Sequence, residues 1–518
     1  MRSRLSLILV SVIVALQGCS KTDMVERYLK SATLKYDKAN YDGAIADYTK
    51  IIELDPHNAT AYFNRGAAKF YKGDYDSAIA DCSKSIELDP KNPRVYYGRG
   101  STRFRKGDYG EAIADFSNAV ELDPKYAEAY HDRGSARFYV KDYDGAIADD
   151  GIAINLDPQN AKIYHDRGSA KIFKGDYDGG IADCNKAVAL DPQFAAAYSD
   201  RGAARLKKGD FGGAIADCSG AIALNPRDAL AYNNRGSAKY NKGDYDGAIA
   251  DYGKAIGLDP NYIAAYSNRA AAREKKSDYD GVIADCTKLI QLNPKFASAF
   301  SWRGAAKYKK GDYDEAIVDC SNAVELDPKF AVAYCSRGGA RWKKGDYDGA
   351  NADFSKAIEL DPNFAMAYRN RALLRIRKDD YDGAISDYSR AIELNPKSAR
   401  EYNGRGWAKY KKGDFDGAIA DATQAIQFDP KDGPSHGTRG WARYGKGDLA
   451  GAVGDCALAV RLKEAGSPEA HFDQGMLDFI HGDYEAAVSA WEKAMQQDAD
   501  LKQDLQPWVD KAKANLKK

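Results

Sequence analysis

From Val25 onward the chain repeats one helical pattern. In residues 59–92, ATAYFNRGAAKFYKGDYDSAIADCSKSIELDPKN, small or apolar side chains first fall at Ala61, Tyr62, Gly66, Ala68 and Phe70. Spacings of this kind put them on one face of a helix. A polar turn, Lys72-Gly73-Asp74-Tyr75, follows. Gly73 suits the left-handed conformation that closes a helix, and Asp74 can accept the orphan N–H groups of the next one. Ala78, Ile79, Cys82, Ile86 and Leu88 then form a second apolar stripe. Leu-Asp-Pro ends it, because a residue before proline leaves the α region. The pattern predicts a helix–turn–helix hairpin.

That hairpin recurs along the chain. Twelve of the 16 prolines return every 34 residues, from Pro56 to Pro430. In this register thirteen gapless units cover 25–466 and a fourteenth covers 468–501. Residues 502–518, with Trp508 and Val509, are expected as a final capping helix, and no stretch remains for a separate catalytic domain. Units contact only their neighbours in such an array, so stability accumulates locally.

A 34-residue hairpin with Tyr62, Gly66, Gly73-Asp74-Tyr75, Ala78 and Pro90 at these places resembles the tetratricopeptide repeat. The resemblance implies an all-α, right-handed superhelical solenoid of about fourteen such repeats. Two departures stand out. Repeat position 7 is Arg from Arg65 to Arg439, and position 11 is Lys or Arg in the same twelve units. Position 23 is Asp in all thirteen in-register units, from Asp47 to Asp455. We expect a ladder of ion pairs crossing each hairpin, each exposed pair contributing ~0.2–1 kcal/mol.

The first residues read differently. Arg2 and Arg4 precede a short apolar run, Leu5 to Leu16, too brief to span a bilayer. It ends in Leu16-Gln17-Gly18-Cys19, which resembles the lipobox of bacterial lipoproteins. The resemblance implies a signal peptide over 1–18, a diacylated Cys19 and a linker over 19–24. Ser20 is not the Asp tied to inner-membrane retention, so an outer-membrane lipoprotein facing the periplasm is expected.

Composition narrows the function. The 76 basic residues balance 76 acidic ones, which removes the charge signature of a nucleic-acid binder. Six of the eight cysteines (Cys82, Cys184, Cys218, Cys286, Cys320 and Cys456) share position 24 on the apolar face, as small hydrophobes. Neighbouring helices lie too far apart for these thiols to pair. Cys335 has no evident partner, and there is no CxxC motif. Gly440 to Lys446 mimics a phosphate loop, but Gly447 follows where Ser or Thr is needed. His131-Asp132 and His165-Asp166 hold equivalent places in adjacent units and are expected to be surface variation; a shared metal or peptide contacts are the alternatives. Asp150 and Asn351 replace apolar framework residues and predict local weak points, at ~1–3 kcal/mol if unsatisfied. No catalytic constellation, metal site or cofactor is predicted.

Some tetratricopeptide proteins clamp a peptide carboxylate, but the residues flanking Asn64, Asn268 and Asn370 do not supply the basic set. The resemblance leaves the concave groove as the candidate site. Its position 12 carries an aromatic row and its position 13 turns basic in later units. Tyr308, Lys309, Trp342, Lys343, Arg377, Tyr410 and Lys411 are therefore the candidate peptide-binding residues. The expected function is a non-catalytic scaffold that binds proteins or peptides in the cell envelope. Alternatives are an adaptor for assembly or export of envelope polymers, a regulatory subunit of a partner enzyme, or a glycan binder.

Overall fold

The computed structural model describes residues 21–517. The leader, Cys19 and Ser20 lie outside them. Among the described residues there are 29 α-helices and no strand. They come as hairpins, the first helix of a unit beginning at Ala59, Pro93, Ala127 and so on, the second at Tyr75, Tyr109 and Tyr143. Second helices pack against their own first helix, as Tyr75–Leu88 does on Ala59–Lys72, and against the first helix of the next unit, as Tyr75–Leu88 does on Pro93–Lys106. None of the helices is long and apolar enough to cross a membrane.

The first helix, Lys21–Asp37, starts four residues before Val25. Residues 21–24 are thus helical, not the expected linker: Lys-Thr-Asp-Met holds no helix breaker, and Asp23 favours a first turn.

Small residues set the helix spacing. A Cβ on Gly66 would stand 3.2 Å from both the Ala78 carbonyl and Cys82 Sγ, so glycine lets the two helices approach. Gly73 closes the first helix at φ +87°, and Asp74 caps the second by accepting from the Ser77 N–H. Four units do without this glycine: Ala39, Lys141, Ser277 and Asp379 carry φ between +55° and +64°. The seven cysteines of the described chain are buried and free.

The expected ladder is present, but its carboxylates are buried. Asp81, 5 % exposed, takes Arg65 Nη2 at 2.7 Å and Nε at 2.9 Å, with Lys69 Nζ at 2.7 Å. Arg65 also lies over the Tyr62 ring and donates to Thr49 of the preceding unit. The same set recurs around Arg235–Asp251 and Arg337–Asp353. The ladder therefore ties units together as well as closing each hairpin. Its pairs belong with buried ion pairs, where removing one partner costs about 3–5 kcal/mol.

The chain divides after Ala265 into two compact bodies, through 265 and from 266 on. Each contains a run of hairpins.

Candidate functional site

In the C-terminal body the groove is filled by the chain itself. The terminal helix, Lys502–Leu516, buries Leu505 and Val509 and sets Trp508 among Trp441, Tyr444, Phe479 and Trp491. Ring centroids there lie 5.3–6.2 Å apart. Lys511 Nζ sits 4.6 Å from the Trp508 ring. The approach to this helix is acidic: Asp500 Oδ1 meets Arg377 Nη2 at 2.5 Å, and Asp504 Oδ1 meets Lys411 Nζ at 2.6 Å.

This corrects part of the expected site. Arg377 and Lys411 are neutralised by the chain's own tail, and Tyr410 packs into the aromatic cluster, where burial lifts its phenol well above the usual range. The physical reason is area. An aromatic row beside basic side chains is a sticky surface, and a tail carrying Leu505, Trp508 and two aspartates covers it. Trp342 is spent on packing beside Phe354 and Leu374, and Tyr308 packs against Tyr313. Lys309 and Lys343 stay exposed and form no ion pair among the described residues.

The N-terminal body holds an open counterpart, a cavity of about 900 Å³. Phe70, Phe104 and Phe138, all at position 12, form one wall with Phe63, Tyr97 and Tyr126. Tyr97 and Tyr126 lie 4.9 Å apart by ring centroid. Six aromatic rings facing a cavity this size provide anchoring area for apolar side chains.

One stretch of this cavity is acidic. Asp132, Asp166 and Asp200 occupy position 6 of three successive units, and Asp150 joins them from position 24. Asp132 accepts from the Tyr97 hydroxyl at 2.7 Å. His131, 8 % exposed, bonds through Nδ1 to Asp150 Oδ1 at 2.9 Å, and Lys162 Nζ reaches its Nε2 at 2.7 Å. Asp166 Oδ2 also stands 3.4 Å from His131 Nε2, so the imidazole lies between two carboxylates. His165 bonds Asp166 at 2.8 Å and stands 3.1 Å from Asp200. Burial alone would lower His165, but Asp166 and Asp200 outweigh it and hold the imidazole up at about 9. Burial pushes the Asp150 carboxyl up to about 6, against the pull of His131.

The two histidines are therefore not surface variation. His131 is a buried and His165 a half-buried partner of carboxylates, and no group of side chains among the described residues is arranged to hold a metal ion. Asp150 is not the expected weak point either, because His131 satisfies it. Asn351 sits at a position that is only half-buried in the other units, as at Ile79, so a polar side chain is tolerated.

Models described as tetratricopeptide repeat match residues 59–92 and 297–330, residues 165–229, 336–399 and 403–468, and residues 82–114. One described as TPR repeat matches 34–70, 100–139 and 236–277. The chain carries tetratricopeptide repeats.

No curated protein matches it. Among solved structures it is similar to the MamA protein, at 27% identity over 33% of this chain and 94% of that one, with a TM-score of 0.32. A tetratricopeptide repeat protein from Parabacteroides merdae shares 20% identity over 48% of this chain and 98% of its own, TM-score 0.41. Yeast Tom70 shares 19% over 86% and 99%, TM-score 0.38. None of these likenesses bears on what this chain binds.

Within a tetratricopeptide repeat frame, position 6 supplied the acidic cavity-lining residues that sequence reasoning passed over. Three aspartates in a row at one repeat position, Asp132, Asp166 and Asp200, were the available signal.

Proposed function

We propose that this chain is a non-catalytic scaffold that holds segments of other proteins in the groove of its N-terminal body. Tetratricopeptide repeat solenoids serve typically in protein–protein interaction. The observation that carries the reading is the aromatic-walled cavity of about 900 Å³ across the first repeats. A lipid on Cys19 would tether this scaffold to a bacterial envelope membrane, the outer one facing the periplasm, as Leu16-Gln17-Gly18-Cys19 suggests.

Two experiments test the two halves. A photo-crosslinking residue at Phe104 should give discrete protein adducts in living cells, while the same residue at exposed Val318 gives none. Equal labelling at both places, or none at Phe104, would remove the groove from the proposal. Cys19→Ala should leave an unprocessed precursor without lipid. Normal processing and unchanged membrane fractionation would end the anchoring half.

A further inference from the structure

We propose that the segment bound in the N-terminal groove carries a Lys or Arg side chain next to a large apolar one. This rests on the groove reading above and deepens it. The cavity lining extends from Tyr36 in the first unit to Asp200 in the sixth. First helices of successive units are separated by the second helix between them, so consecutive units advance by at least one helix spacing of about 8–10 Å. A lining that crosses several units suits an extended chain of roughly ten residues at about 3.3 Å each better than a compact small molecule.

The sign of charge changes along that path. Unit three contributes two exposed cations, Arg94 and Arg105, which form no ion pair among the described residues. Units four to six contribute the carboxylates of Asp132, Asp150, Asp166 and Asp200. Facing these are two cations, Lys162, bound to Asp166 at 2.9 Å, and the imidazolium of His165 between Asp166 and Asp200. His131 is committed to Asp150, Asp166 and Lys162, and even counted as a cation it leaves the four carboxylates in excess. The neighbouring Arg133 and Arg167 are committed to the ladder carboxylates Asp149 and Asp183. The acidic stretch thus keeps more negative than positive charge.

Asp132 is the focal point. Among the described residues its one hydrogen bond comes from a neutral phenol, and it forms no ion pair. That phenol belongs to Tyr97, which stands in the aromatic wall beside Tyr126 and Phe116. A guanidinium or ammonium placed at Asp132 would lie against these ring faces, combining charge pairing with cation–π attraction in a partly desolvated site. The residue beside it in the bound segment would then reach Phe104 and Phe138. This is the opposite chemistry from a carboxylate clamp, and it agrees with the missing basic set at the clamp positions. It also differs from the C-terminal groove, whose built-in occupant presents aspartates to Arg377 and Lys411.

The test uses the purified full chain and three fluorescent decapeptides in a Gly/Ser background, with a central Trp-Arg, Trp-Gln or Trp-Glu pair. The Trp-Arg peptide should bind at least tenfold more tightly than the Trp-Glu peptide at low salt, with the preference shrinking as salt rises. Asp132→Asn keeps the acceptor for Tyr97 and should cut the Arg preference at least threefold, with helicity unchanged. Phe104→Ala with Phe138→Ala should weaken all three peptides. If the Glu peptide binds as well as the Arg peptide, and the double Phe variant weakens both, the groove stands and the cationic ligand class falls. If no peptide binds, or binding ignores the double Phe variant, the groove reading falls with it. An Arg preference that survives Asp132→Asn undiminished would also overturn the proposal.

Discussion

Two grooves built from one 34-residue template meet different fates. In the N-terminal body the position-12 rings of Phe70, Phe104 and Phe138 line an open cavity. In the C-terminal body Tyr410 and Tyr444 pack with Trp508 into a closed cluster. The framework is the same in both: the same bidentate Arg–Asp pairs, the same small residues between helices. What differs is a handful of variable positions and a tail with the right side chains to lie down on one of them. A repeat array therefore offers a row of similar apolar surfaces, and each must be covered by the chain or left for something else.

The comparison can be broken first at what the bodies share. Asp115→Ala in the N-terminal body and Asp353→Ala in the C-terminal body should each destabilise their own body by about 3–5 kcal/mol, because each strands two cations around a buried site. All six tryptophans lie beyond residue 265, so tryptophan emission follows the C-terminal body and amide exchange follows the other. Losses below about 1 kcal/mol in both would return the ladder to the class of exposed pairs.

What separates the bodies comes next. Leu505 is fully buried on the inner face of the terminal helix, and Leu505→Ala should cost about 2–5 kcal/mol in the C-terminal body alone. Faster exchange in the first five units would show that the tail supports more than its own groove.

The half-buried His165 gives a pH signature to the open groove. A raised imidazole pKa stabilises the fold fully below its unfolded value, and that contribution is lost as pH rises through the folded value. For His165 the window runs from 6.5 to about 9, and the effect is at most about 3 kcal/mol. Units four to six should lose protection relative to the C-terminal body across that window, and His165→Gln should flatten the change. A constant ratio of exchange rates would contradict the assignment.

The smallest expected effect is local. Lys141, at φ +64°, stands where Gly107 stands in the preceding unit, so Lys141→Gly should stabilise the N-terminal body by about 1 kcal/mol. Ser277→Gly should do the same in the C-terminal body, and a loss of stability at either site would mean the side chain contributes contacts that offset its strain.

The fold was legible because its signal recurs along the whole array: twelve periodic prolines, Gly-Asp-aromatic turns in most units and two apolar stripes leave little choice of element or register. The ladder was legible as pairing but not as burial, since sequence spacing says which side chains meet and not how much water remains around them. The groove was less legible. Asp150 and His131 look like two separate irregularities, and only packing brings them within 2.9 Å across 19 residues. The tail's reach was hidden for a similar reason. Asp504 meets Lys411 across 93 residues, a distance that a nearest-neighbour picture of repeats does not anticipate.

The N-terminal groove is open, whereas the C-terminal aromatic surface is covered by its own chain. Thiol labelling tests it directly, since the seven native cysteines of the described chain are buried. Phe104→Cys in the N-terminal groove should react with a maleimide at least tenfold faster than Tyr444→Cys beneath the terminal helix. Equal rates, or faster labelling at Tyr444→Cys, would contradict the account.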